Sequence, residues 1–160
     1  MTETSNHNLA WSNQNYVLFG NDKHLQIIRN LPNYVFILQY QDKLLLTQQK
    51  NYGHKNWIFP QISIDPDRQN MTDYLKKLVK QKWQTNAIAI NNLGTLYPAE
   101  SDMSALDVLV LIKTDNTPKG GLLLGKDELM HFVGNNSIKD SVTLGSLLNY
   151  QTWQNKKAMA

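Results

Sequence analysis

The chain of 160 residues has no cysteine. That absence excludes disulfide staples, thiol nucleophiles and thiolate-bound zinc, and it suits a cytoplasmic protein. No apolar run approaches the length that crosses a bilayer, so no membrane partner is expected. The opening M-T-E-T-S-N-H-N-L-A lacks the basic start and apolar centre of a signal peptide. His7, His24, His54 and His131 are scattered, with neither H-x3-H nor H-E-x-x-H spacing, which argues against a histidine metal site. No G-x-S-x-G, P-loop or G-x-G-x-x-G is present. Charge of either sign is also sparse. The formal net charge is +3, a balance that tolerates a phosphate-bearing ligand but falls short of a nucleic-acid binder's concentrated basic face.

What is there suffices for one core. Hydrophobic residues make up 41% of the chain, enough burial for a single domain. Residues 1–14 are polar and read as a flexible N-terminus, leaving one domain over 15–155. Tyr16–Phe19 and Leu25–Arg29 are β-type runs around a Gly-Asn-Asp turn. Tyr34–Tyr40 is rich in β-branched and aromatic residues and reads as a buried strand, with Leu44–Gln48 as its hairpin partner. Trp57–Phe59, segments of Ala87–Tyr97 broken at Gly94, Ala105–Thr114 and Leu122–Leu124 add further strands. Asp127–Phe132 reads as a short helix. Ser141–Trp153 reads as a longer one, with Val142, Leu144, Leu147, Leu148 and Tyr150 as its apolar contacts. Strands, one helix, more strands and two helices predict an α/β (α+β) fold with a mixed sheet and helices packed on it.

The first helix follows the polar loop Ile64-Asp65-Pro66-Asp67. Asn70 or Thr72 is the expected cap, and Asp73 suits the dipole in the first turn. Met71, Leu75, Leu78 and Val79 fall on one stripe, while Lys76, Lys77, Lys80 and Gln81 cluster on the opposite side.

With these pieces in order, the chain resembles the Nudix family, nearest its ADP-ribose and nucleotide-sugar pyrophosphatase branch. That family's signature is G-x5-E-x7-R-E-U-x-E-E-x-G-U, with U a bulky aliphatic. Val35–Lys50 is similar to the hairpin before the signature, Trp57-Ile58-Phe59-Pro60 to its lead-in, and Ile64-Asp65-Pro66-Asp67 to its loop. Gly94–Asp102 resembles the branch's glycine–aromatic–proline–acid segment, and Ile138–Leu144 resembles the start of its C-terminal helix. The resemblance implies an α/β/α sandwich around a mixed sheet. It implies a nucleotide or nucleotide-sugar ligand, and a homodimer formed through Tyr16–Arg29.

The family's catalytic residues do not carry over, so the signature is degenerate. Ile62 stands at the first glycine, Arg68 at the first glutamate, Lys76 and Lys77 at the Arg-Glu pair, Lys80 and Gln81 at the Glu-Glu pair, and Trp83 at the closing glycine. Only Leu78, at the aliphatic position, matches outright. Divalent magnesium or manganese needs hard oxygen ligands, and protonated lysine repels it. The expectation is therefore a fold that has lost pyrophosphohydrolase activity, with no catalytic residue and no cofactor, acting as a nucleotide-binding or interaction module. Losing glycine at 62, 67 and 83 would also restrict a loop that needs positive φ.

The plainer reading of the lysines is a solvated helix face. The functional one is a cationic shelf that meets phosphate without a metal. Candidate ligand contacts are Gln49, Trp57, Lys76, Lys80, Tyr97, Glu100 and Asp102, although Trp57 and Tyr97 read first as core packing and the two acids as solvated loop residues. The alternative is an active hydrolase that binds magnesium or manganese through relocated acids, Glu100 and Asp102. Asp107, inside an apolar run, reads as a strand-edge residue.

Overall fold

The computed structural model describes residues 8–12, 16–20, 25–29, 31–51, 54–97, 103–104 and 106–160, with side chains over 31–50, 55–97 and 106–160. In chain order the elements are β1 (Asn8–Ser12), β2 (Tyr16–Gly20), β3 (Leu25–Arg29), β4 (Asn33–Tyr40), β5 (Lys43–Asn51), β6 (His54–Ile58), β7 (Gln61–Ser63) and α1 (Met71–Trp83). They continue with β8 (Ala87–Leu96), β9 (Met103–Ser104), β10 (Asp107–Thr114), β11 (Leu122–Leu124), α2 (Lys126–Gly134) and α3 (Ser141–Met159). One sheet runs β11-β5-β4-β10-β8, with β6 paired to β5 and β7 to β4; a second runs β1-β2-β3-β9. The main sheet is mixed because β4 and β10 run parallel while β8 and β11 pair antiparallel to their neighbours.

The two central strands explain the layering. Val35, Phe36, Ile37 and Leu38 are all fully buried, as an inner strand covered on both faces requires. Their side chains alternate. Val35 and Ile37 join Leu109, Leu111, Leu44 and Leu46 in a core under α2 and α3, completed by Leu129, Val142, Leu147 and Tyr150. Phe36 and Leu38 join Leu45, Val110 and Ile112 on the other face, where Leu75, Leu78, Val79 and Trp83 of α1 close the layer. The result is the expected α/β/α sandwich. Helix α1 lies on one side of the sheet, and α2 and α3 lie on the other.

Several local expectations need correction. β1 lies within the first fourteen residues, where a frayed segment was expected; it pairs antiparallel with β2. α3 continues to Met159, beyond the expected domain end at 155. Gly94 does not break β8. Its φ of 111° marks a bulge at which Leu109 pairs with Gly94 and Val110 with Asn92, leaving Leu93 as the extra residue. Asp107 is no edge residue, since β10 lies between β4 and β8 and the side chain is buried. Leu144 and Leu148 do not pack inward. Roughly 150° round α3 from the Val142–Ser146–Tyr150 face at 100° per residue, they are exposed.

A polar chain fixes α3 against the strand that leads to α1. The N-cap carboxylate of Asp140 accepts from the Thr143 backbone N–H at 2.8 Å and from the Thr143 hydroxyl at 2.7 Å. The same hydroxyl accepts from the Phe59 N–H at 3.2 Å. Thr143 is completely buried, so removing its oxygen strands the Phe59 donor away from water. Thr143→Val is expected to destabilise the protein by about 1–3 kcal/mol in urea denaturation, with the slope of the transition unchanged.

Candidate functional site

The approach to α1 is built from short polar turns. Ile64 is buried and donates its N–H to the Pro32 carbonyl at 3.2 Å, anchoring the loop to the core. Asp65 then turns the chain, its Oδ1 accepting from the Asp67 N–H at 3.0 Å. Asn70 stands at the N-cap in the left-handed region, φ 53° and ψ 51°, and makes no side-chain cap bond. The expectation of a capping side chain at Asn70 or Thr72 is corrected accordingly; asparagine serves here because it tolerates the left-handed backbone.

The helix itself follows its pattern. Leu75, Leu78, Val79 and Trp83 are buried, and Lys76, Lys77, Lys80 and Gln81 are exposed. Lys82, which sequence reasoning left aside, is exposed as well. With Asp73 the only acid, α1 carries four lysines against one carboxylate. Lys76 and Lys80 stand one turn apart, where like charges cost an isolated helix about 0.2–0.5 kcal/mol per pair. A bound anion would relieve that repulsion.

The C-terminal end of α1 is tied down from a distant loop. Gln84 takes the left-handed cap at φ 53°. The Lys119 N–H donates to the Trp83 carbonyl at 2.8 Å, which brings a further lysine to this end of the helix. Nearby, Asp115 accepts from the Asn86 side chain at 2.8 Å and from the Asn86 backbone N–H at 3.1 Å. These bonds, with a smaller contribution from the Thr85 hydroxyl, hold its carboxyl below the usual carboxylate range. Nothing in the sequence between Asn86 and Asp115 announces this knot, because its partners are brought together by the pairing of β8 with β10.

At the remaining signature positions, glycine would serve no conformational need. Neither Ile62, Asp67 nor Trp83 has positive φ, so the expected backbone penalty at those three residues does not arise. Ile62 pairs with Tyr34 and packs on the α1-side core. Arg68 is exposed and lays its guanidinium 4.1 Å over the Tyr74 ring. Trp83 is 5% exposed, with its ring centroid 5.1 Å from that of Phe36.

The other described candidates, Gln49, Trp57 and Tyr97, stand on or beside β5, β6 and β8. Gln49 is exposed on β5, opposite Asn56 of β6. Trp57 packs on the other side of the sheet, with its ring 6.0 Å from Phe132 of α2 and its backbone N–H donating to the Ser137 carbonyl at 3.0 Å. Tyr97 is exposed just beyond β8, which corrects its reading as core. Glu100 and Asp102 lie outside the described residues. Among the described residues no cluster of three or more histidine or carboxylate side chains could hold a metal ion.

No family model and no curated protein matches the chain. Solved structures do. An ADP compounds hydrolase, a Nudix enzyme, superposes with a TM-score of 0.74 at 13% identity, covering 98% of this chain and 95% of its own. The fold is Nudix-like. A chain from the complex between the C-terminal domain of mouse MUTYH and human PCNA superposes with a TM-score of 0.58 at 16% identity, covering 79% of this chain and 91% of its own. At these identities the likeness is one of fold.

Proposed function

We propose that this Nudix-like protein is a binding module without pyrophosphohydrolase activity, whose α1 lysines meet the phosphates of a nucleotide or nucleotide sugar without a metal ion. The observation that carries this reading is the exposed Lys76, Lys77 and Lys80 on one helix face, at the positions where the resemblance expects the metal-binding signature. Ammonium groups supply charge to phosphate directly and repel the divalent cation that hydrolysis by the family's route would use. The likeness to an ADP compounds hydrolase supports a nucleotide-type ligand. The likeness to a chain from a two-protein complex supports an interaction role for the same scaffold. The proposal includes a homodimer through Tyr16–Arg29.

Thermal-shift measurements with ADP-ribose test the reading. A ligand at a hundred times its Kd adds about 2.7 kcal/mol, which for a chain of this length raises Tm by roughly 5–10 °C. The expected shift is the same in EDTA as in magnesium. A shift that appears only with magnesium or manganese would overturn the metal-free reading.

A further inference from the structure

A second candidate site lies on the opposite side of the sheet from α1. A cavity of about 840 Å³ opens between the β4–β5 turn, α2 and α3. Its floor is the core itself, at Leu44, Leu129 and Leu147. Its walls carry Met130, Leu144 and Leu148, which are 52%, 36% and 66% exposed. Seven large hydrophobic side chains are exposed among the described residues, and three of them line this one cavity. Such convergence from two helices is not the scattered exposure of an ordinary surface.

We propose that this cavity binds an uncharged, largely apolar small molecule with hydrogen-bonding edges. The volume lies within the range of small-molecule sites, about 300–1,000 Å³. The lining holds one carboxylate, Asp42, and one ammonium, Lys126, so its formal charge sums to zero and offers no excess attraction to a phosphate. The other polar groups are mostly amides, Gln39, Gln41, Gln151, Gln154 and Asn155, which donate and accept and suit a neutral polar edge. Gln154 donates to the Tyr150 hydroxyl at 2.6 Å, which leaves the phenol's own proton to donate to a ligand. Burial pushes the Tyr150 phenol above its usual range, against the opposing pull of the Gln154 hydrogen bond and with a smaller push from the Asp42 charge; a phenol is in any case protonated, and so a donor, at neutral pH. A second copy of the chain is a poor occupant, because a twofold interface would set this concave surface against itself and leave both hollows unfilled.

N-phenyl-1-naphthylamine, an uncharged two-ring fluorophore, is a suitable probe. Its fluorescence is expected to rise saturably at one equivalent per chain. Leu148→Glu, at a position already facing solvent, is expected to weaken that binding at least tenfold while the circular dichroism spectrum stays unchanged. The sulfonated analogue, 8-anilino-1-naphthalenesulfonate, is expected to bind no more tightly than the neutral probe. Lys76→Glu/Lys80→Glu is expected to leave probe binding unchanged, which separates this site from the α1 face. Absence of saturable binding, or binding that survives Leu148→Glu, would overturn the proposal. So would preference for the sulfonate, which would mark an anion site. A Leu148-dependent dimer in light scattering without probe would overturn it too, by showing the cavity covered.

Discussion

Trp83→Ala is expected to lower stability by about 3–5 kcal/mol, the largest single effect on the fold considered for this protein. Trp83 is 5% exposed, and its ring meets Phe36, which is itself fully buried on the central strand β4. It also closes α1 over the sheet with Leu75, Leu78 and Val79, and its carbonyl is the acceptor that ties the 115–121 loop to the helix end. Truncation leaves a cavity at the seam of helix, strand and loop, where three elements would have to collapse together to fill it. Total stabilities of such domains are about 5–15 kcal/mol, so the change removes a large share. At roughly 2–4 °C per kcal/mol for this length, Tm should fall by roughly 6–20 °C. Trp83→Gly, which would restore the residue type of the family's closing glycine, is expected to do no better, since it leaves the same cavity. The indole at this position is therefore structural. A Tm within two or so degrees of wild type for Trp83→Ala would contradict the packing described here.

The second large effect concerns binding and leaves the fold alone. Lys76→Glu/Lys80→Glu is expected to weaken ADP-ribose binding on the order of 100-fold, about tenfold for each charge reversed, or about 1.4 kcal/mol each. Both side chains are exposed, so unfolding should stay within about 0.5 kcal/mol of wild type per substitution. Stability and affinity thus separate, the reverse of Trp83→Ala. The wild-type affinity should also fall with added salt, because exposed ammonium–phosphate contacts are screened. Calorimetric titration reads both effects. Affinity unchanged by the double reversal would leave the lysines as a solvated face.

The sequence was most readable where one residue type decides the structure. Tyr34–Tyr40 and Ala105–Thr114 contain the continuous apolar runs Tyr34–Leu38 and Val108–Ile112, and only an inner strand covered on both faces buries such a run; both are central strands. The α1 stripe was equally plain, since Leu75, Leu78 and Val79 admit only one buried face. β7 was missed because Gln61–Ser63 has three residues and a single apolar one, and it exists through its pairing with β4. Leu144 and Leu148 were misplaced because α3 carries apolar residues over too wide an arc for periodicity to choose a face. The tertiary contacts of Val142, Leu147 and Tyr150 choose it. The candidate site was readable only along one element. The lysines of α1 share a face by helical spacing alone, whereas Lys119 reaches the helix through β8–β10 pairing that no local pattern encodes. Trp57, a ligand candidate that read first as core packing, packs across the sheet against α2.

The exposed lysines on α1 and the proposal of a metal-free module meet in one assay. The purified protein is incubated with ADP-ribose, a nucleotide sugar, a dinucleoside polyphosphate and coenzyme A, each with magnesium and with manganese, and phosphate-ester products are quantified. The account predicts no product above the protein-free background with either metal. Metal-dependent turnover that Glu100→Gln abolishes would contradict it, and would move the chemistry from the helix to the segment after β8.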